Sequence, residues 1–330
     1  MVEKEADGVR VIRVPAAVTM ASQPLSWRYF WLLHREGCRA DIVHLHAPNM
    51  LAALASLILP KGTPLVVHWH SDVVGKGLLS RLLRPLEKLM LQRANVVIAT
   101  SPSYMAASLP LTQVRDKVHV IPLGVPDAAA KSIESQAVIP SLLQQWLAGR
   151  PFVSAVGRLV PYKGFVHLVE AAQFLSKNVA VVIVGDGPLH HELQMRITAA
   201  GLGDRVILAG RQDDWALSAL FKSATLFCLP SVERSEAFGV VLIEAMSWRL
   251  PVVATNITGS GVSWVNQEGE SGLNVKPSDP FAIANACNRI LSCSSLRERL
   301  AKGARQRFES EFSEAISVHR TNQLHNNLIN

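Results

Sequence analysis

Ser235-Glu236-Ala237-Phe238-Gly239-Val240-Val241-Leu242-Ile243-Glu244-Ala245-Met246 is the stretch on which the reading of this chain turns. Two carboxylates stand with seven residues between them, and those residues hold a phenylalanine–glycine step and an apolar run. The run Val240–Met246 predicts a helix that begins just after Gly239. The first turn of such a helix has N–H groups without partners inside the helix, and these favour an anion, above all a phosphate. Glu236 then falls in the loop ahead of the helix, and Glu244 is expected about two turns inside it. An acid at each end of a phosphate cradle suits a sugar nucleotide, one accepting from sugar hydroxyls and the other from ribose hydroxyls. The plainer alternative is a helix start with one capping acid and one solvent-facing glutamate.

Working outward, short β-branched runs alternate with longer helical patterns along nearly the whole chain. Strands are predicted at 9–14, 42–46, 65–70, 96–100 and 118–121, then at 152–156, 180–184, 206–209, 226–229, 252–254 and 273–275. Helical patterns fall between them, for example over 79–93, 165–175, 189–200 and 215–223. This alternation is the signature of an α/β chain with parallel sheets covered by helices on both faces. In such sheets, ligands bind beyond the carboxyl ends of the strands. Prolines, glycines and an alanine run between Val125 and Pro151 interrupt the rhythm, which restarts at Phe152. The expected organisation is therefore an α/β domain over 1–140, a second over 141–311 facing it across a cleft, and a closing helix over 312–330 that returns to the first.

Length and charge narrow the function classes. The chain has 330 residues, of which 49% are hydrophobic, enough for two ordinary domains, and its longest apolar runs are too short to span a bilayer. Its charged N-terminus has no apolar core of the secretory kind, and its four scattered cysteines form no CxxC pair. A cytoplasmic protein with buried free thiols is the expectation. The net charge of +7 favours phosphate-bearing substrates or an anionic membrane face. Nucleic acid is not expected, because no basic stripe is interleaved with aromatics.

Three further loops carry chemistry. Gly157-Arg158-Leu159-Val160-Pro161-Tyr162-Lys163-Gly164 puts two cations five positions apart on a glycine-flanked turn. Arginine holds a phosphate with two parallel bonds and lysine acts as a point charge, as a departing diphosphate requires. Gly185-Asp186-Gly187-Pro188-Leu189 reads either as a lining of a nucleotide pocket or as a tight strand-to-helix turn, with Pro188 opening the helix. Arg211, after Gly210, could edge a base or ribose.

In the first domain, Asp41-Ile42-Val43-His44-Leu45-His46 and Val66-Val67-His68-Trp69-His70-Ser71-Asp72 are strands that end in polar residues. A metal site is not expected from the four histidines, since no carboxylate or cysteine partner lies at ligand spacing. His70, Ser71 and Asp72 are expected to position a sugar or acceptor hydroxyl, and His44 and His46 to be hydrogen-bonded strand residues. The segment Gly75–Arg93, with Lys76, Arg81, Arg84, Lys88 and Arg93, joins Trp27, Tyr29, Phe30 and Trp31 as a candidate membrane-facing surface. Its plain alternative is a crossover helix with a basic outer face.

Taken together, these segments resemble the family 4 glycosyltransferases of the GT-B fold, with two Rossmann-like domains. The resemblance rests on Glu236…Glu244 with Ala237-Phe238-Gly239 between them, on Gly157-Arg158…Lys163-Gly164 and on Gly185-Asp186-Gly187-Pro188-Leu189. Pro230-Ser231, Pro251–Thr255, Ser101-Pro102-Ser103 and the two histidine strands also fit, over roughly residues 9–312.

The resemblance implies transfer of a sugar from a nucleoside-diphosphate donor to an acceptor hydroxyl, with retention of configuration and without a cofactor or essential metal. It assigns Arg158 and Lys163 to the diphosphate, Glu236 to the donor sugar and Glu244 to the ribose. Backbone amides of Phe238, Gly239 and Val240 would serve phosphate and sugar, and His70 the donor sugar. The family normally opens with a strand and a glycine-rich loop. This chain starts at what resembles a later strand, so an incomplete first domain is expected.

Thr258–Asn266 and His70-Ser71-Asp72 resemble bacterial O-antigen and exopolysaccharide mannosyltransferases. GDP-mannose is therefore the expected donor, ahead of a UDP-sugar, with a lipid-linked or polysaccharide acceptor at the inner membrane face. The alternative is a catalytically silent remnant that still binds nucleotide. A dinucleotide oxidoreductase is disfavoured by the lack of a GxGxxG turn with its downstream acid, and a non-hydrolysing sugar-nucleotide epimerase of similar architecture by the Arg158…Lys163 spacing.

Overall fold

The β-branched runs become strands in the computed structural model, which describes residues 2–6, 8–20, 23–73, 77–129 and 138–330. The chain divides into two units, one of Met1–Thr100, Met105–Ile121 and Thr321–Asn330, the other of Ser101–Tyr104 and Pro122–Arg320.

In the first unit, β1 (Val2–Ala6) pairs antiparallel with β2 (Val9–Arg13), and β3 (Val18–Met20) with β4 (Gln23–Leu25). The strand read at Val9 thus forms a hairpin instead of joining a parallel sheet. Its valines alternate with arginines, and Val9 and Val11 remain exposed. The sheet proper is parallel and runs in the order β5 (Val43–Ala47), β6 (Leu65–Trp69), β7 (Val96–Ala99), β8 (Val118–Val120). Every residue of β6 and β7 is buried, as in strands covered on both faces, and their sequences are accordingly unbroken apolar runs apart from His68. β5 lies at an edge and alternates, with Val43, Leu45 and Ala47 buried while His44 and His46 take the other face. Leu324 and Leu328, near the end of the helix Glu314–Ile329, pack against Val66, Val96, Ile98 and Ile121.

Glu87 is a buried acid within the helix Gly77–Arg93, and its Oε1 has no hydrogen-bond partner. Burial first, then the nearby charge of Asp72, push its carboxyl up to about 7, against the opposing pull of Arg84.

The second unit is built on β9 (Phe152–Val156), β10 (Ala180–Val184), β11 (Val206–Leu208), β12 (Leu226–Leu229), β13 (Val252–Thr255) and β14 (Gly272–Val275). These form one parallel sheet in the order β11-β10-β9-β12-β13-β14. Successive side chains feed opposite cores. Val181 and Ile183 of β10 pack with Leu168, Leu193 and Ile197, while Ala180, Val182 and Val184 pack with Leu143, Leu147 and Leu220. Each buried Val, Leu or Ile among these contributes about 1.5–3 kcal/mol. The winding reverses between β9 and β12, and the crevice outside the carboxyl ends at a reversal is where doubly wound sheets bind ligands. Cys228 and Cys287 are buried free thiols, whereas Cys38 and Cys293 are exposed, so burial does not extend to all four as expected.

One glycine fixes the geometry of that crevice. Gly164 has φ +66 and ends the short turn Pro161–Lys163, and a Cβ on it would lie 2.1 Å from the Pro230 carbonyl oxygen. The loops after β9 and β12 are therefore in backbone contact, and Val232 N–H donates to Tyr162 O at 2.8 Å. Gly164→Ala should cost about 2 kcal/mol or more in urea unfolding. Gly203→Ala, where a Cβ meets nothing within 4 Å, should change stability by less than about 0.5 kcal/mol. Equal effects would remove the backbone-contact argument. Glu87 carries a pH signature: an unfolded glutamate titrates near 4.3, so between that value and about 7 the folded chain binds the extra proton. Its contribution to stability is present at low pH and declines as pH rises through about 7. Glu87→Gln should therefore gain on the order of 2 kcal/mol over the parent protein at pH 8 and nothing at pH 4, measured by urea unfolding at both.

Candidate active site

The residues following β9 and β12 meet at the reversal. Lys163 Nζ lies 2.6 Å from Glu236 Oε2, and the two side chains are only 12% and 9% exposed. Ser231 Oγ donates to the same carboxylate oxygen at 2.8 Å. The backbone of Glu236 is held as well, since its N–H donates to Glu233 O at 3.0 Å and its carbonyl accepts from the Ser260 hydroxyl. Thr255 at the end of β13 donates to the carbonyl of Ser231. Ser103 Oγ donates to Ser260 O at 3.0 Å, which ties this loop in turn. A carboxylate this enclosed needs both its cation and its hydroxyl donor, because an uncompensated buried charge is costly.

Beyond Glu236 the chain enters the helix Val240–Ser247. Gly239 precedes it with φ +80, no side chain caps it, and its first turn holds no acid, so the positive end of the helix faces no competing protein anion from within its own sequence. Phe238 is buried edge-on against Phe312 at 5.9 Å, and the Ala237 carbonyl accepts from Gly261 N at 2.7 Å. Glu244 lies about one turn into the helix, not two, because the helix opens at Val240. It is half-buried, and its carboxyl is pushed up by burial first and by Asp214 second, with Lys163 pulling the other way. Lys163 is thus in contact with Glu236 and within electrostatic reach of Glu244.

The other nucleotide-side residues occupy neighbouring loops. Arg158 and Arg211 are exposed. A Cβ on Gly185 would lie 2.0 Å from Gly157 O, and one on Gly187 would lie 2.5 Å from Leu159 O. Leu159 N donates to Asp186 O at 3.0 Å, and Gly185 N to Gly210 O at 2.8 Å. These glycines therefore allow the loops after β9 and β10 to touch along their backbones. Pro188 stands two residues ahead of the helix His190–Ala199 and does not open it.

The sequence by itself does not mark Ser231, Ser260 or Asp214 as site residues. Pro230-Ser231 was visible only as a neighbour of the acidic motif, and nothing local marks which serine meets which acid. A cavity of about 600 Å³, lined by Pro151, Val179, Thr225 and Arg297 among others, opens at the amino ends of the strands, opposite these charges.

In the first unit, register places His46 beside His68 on adjacent strands, and His70 follows two residues later. The rings of His68 and His70 stack at 4.3 Å, those of His46 and His68 at 5.3 Å, and those of His44 and His46 at 5.0 Å. His46 Nδ1 and His70 Nε2 share a hydrogen bond of 2.7 Å, and His44 Nδ1 and His325 Nε2 one of 3.1 Å. Burial lowers the pKa of His44 to about 4, of His68 to about 3 and of His70 to about 4, so all are neutral at pH 7. Contrary to expectation, His44 is not fully satisfied, because its Nε2 is buried without a partner. His325 could not be found from sequence, being remote along the chain. Ser71 is half-buried. Asp72 accepts from Trp69 Nε1 at 2.9 Å and Ser108 Oγ at 2.6 Å, which braces the end of β6.

Of the aromatic and basic residues read as a membrane face, Trp27 is 71% and Trp31 58% exposed, and Arg84 and Lys88 are exposed. Arg93 instead donates to the carbonyls of Pro60 and Thr63. Gly75, Lys76 and the side chain of Arg81 lie outside the described residues. Among the described residues, no helix is long and apolar enough to cross a membrane.

Comparison with known proteins bears on both units. Residues 144–307 match the family model of glycosyl transferases group 1, and residues 2–124 match that of the glycosyl transferase 4-like domain. The D-rhamnosyltransferase WbpZ of Pseudomonas aeruginosa is 32% identical over 305 residues, covering 92% of this chain and 78% of that protein. The O-antigen chain mannosyltransferase C of Escherichia coli is 31% identical over 306 residues, covering 92% and 80%. The fold is similar to that of Anabaena HepE solved in complex with UDP, with a TM-score of 0.73 at 23% identity over 90% of this chain and 82% of that one. Two Rossmann-like units, a cation–acid pair at the winding reversal and this breadth of similarity place the chain among the group 1 glycosyltransferases of GT-B fold.

Proposed function

We propose that this glycosyltransferase moves a hexose, mannose first, from a nucleoside-diphosphate sugar to a hydroxyl of a lipid-linked or polysaccharide acceptor, with retention of configuration. GDP-mannose is the preferred donor and a UDP-sugar the second. The single observation that carries the reading is the Lys163–Glu236–Ser231 contact at the reversal of the second sheet. It supplies what a donor needs: a cation for the diphosphate, an acid for the sugar hydroxyls and an uncapped helix start beside both. Glu244, further along the same helix, serves the ribose. The names of the Pseudomonas and Escherichia relatives support a place in O-antigen-type polysaccharide synthesis. The exposed Trp27 and Trp31, with the net charge of +7, support work at the cytoplasmic face of a membrane.

Transfer then proceeds on one face of the donor sugar. The bond from the anomeric carbon to the diphosphate oxygen breaks as the bond from the acceptor oxygen forms. The acceptor proton passes to the departing phosphate oxygen, and Lys163 with Arg158 stabilises the charge that develops there. Glu236 orients the sugar, and the family resemblance assigns His70 to the donor sugar as well. In the free protein Glu236 holds Lys163 in place, so the cation is set before the donor arrives.

Purified protein incubated with GDP-mannose and a polyprenyl-diphosphate-linked acceptor tests this. Lys163→Ala and Glu236→Gln should each lower transfer by roughly 10²–10³-fold with the circular dichroism spectrum unchanged. Undiminished transfer in both variants would remove the site, and nucleotide binding by the parent protein without transfer would favour the silent alternative. Glu244→Gln should weaken nucleotide binding about tenfold while leaving the thermal midpoint unchanged or higher, because it removes a charge that burial disfavours.

A further inference from the structure

The histidine face of β5 and β6 has a property that the transfer reaction does not use. His46, His68 and His70 each present a ring nitrogen, and the three nitrogens lie within 4.8 Å of one another. The backbone gathers them: His46 and His68 are register partners on parallel strands, and His70 lies two residues further on the same face. His68 is only 8% exposed, and its Nε2 has no hydrogen-bond partner, whereas His46 is exposed and opens the cluster to solvent. An orphaned buried nitrogen of this kind is destabilising, and a ligand to it would relieve that.

We propose that His46, His68 and His70 form a site for one divalent transition ion of the zinc, cobalt or nickel class. Imidazole nitrogen suits these ions, whereas magnesium and calcium require oxygen ligands, and among the described residues no carboxylate joins the cluster. Three imidazoles leave a fourth position of a tetrahedral ion to water. Ligands of such an ion stand about 3.3 Å apart. The His46–His70 pair, now at 2.7 Å, opens by roughly half an ångström and exchanges its hydrogen bond for two coordinate bonds. The proton of that bond moves to the other nitrogen of its own ring, so both rings stay neutral. His44, stacked on His46 and bonded to His325, holds the outer ring in place. An ion bound here occupies His70. On the donor-side role proposed for that residue, it inhibits transfer.

Calorimetric titration of the tag-free, chelator-treated full chain with zinc chloride tests the site. One ion should bind, and His46→Gln and His68→Gln should each weaken it at least tenfold, while His119→Gln, exposed on β8 and outside the cluster, leaves it unchanged. Cobalt should give the intense visible absorption of a four-coordinate ion in the parent protein and lose it in His46→Gln, an exposed position where folding is not at stake. Absence of binding, or equal affinity in all variants, overturns the proposal. Zinc that binds as expected yet leaves transfer unaffected upholds the site and removes His70 from the donor-side role instead.

Discussion

A carboxylate enclosed to the extent of Glu236 must be answered by a cation, and the answer here comes from a different strand-to-helix connection. Lys163 reaches it only because β9 and β12 are neighbours in the sheet although two strands intervene in sequence. The strand order therefore creates the ion pair, and the ion pair locks the two loops that flank the reversal. Ser231, Thr255 and Ser260 extend the same lock from β12 and β13, so that the carboxylate and carbonyl of Glu236 and the carbonyl of Ser231 each have a hydroxyl partner. Fixed polar groups are what a transferase needs, since they do not have to reorganise when charge moves onto the departing phosphate.

The same lock explains the glycines. Where two loops must run backbone against backbone, a β-carbon has no room, and the Gly164 and Gly185 positions show carbonyl oxygens about 2 Å from where it would stand. Glycine in these motifs is thus a packing requirement of the protein itself.

The first unit follows a different logic. Its edge strand turns His44 and His46 to one face, where they stack with His68 and His70, and burial lowers the pKa of all four imidazoles. Neutral stacked rings form a stable, adaptable surface.

Much of this architecture could be read from residue order alone. β-branched runs spaced by helical patterns fix an α/β chain, and the glycine-flanked cations and paired acids mark the loops that meet at the winding reversal, because period and turn chemistry are local properties. β9, β10 and β12 fall where the pattern placed them, to the residue. Only the folded chain decided that Val9–Arg13 makes a hairpin, that Glu244 sits one turn into its helix, that Ser231 and Lys163 share one oxygen of Glu236, and that His325 closes the histidine row. Those facts depend on which strands become neighbours and in what register. Strand order and register are set by the burial of whole faces, and no short stretch of sequence records them.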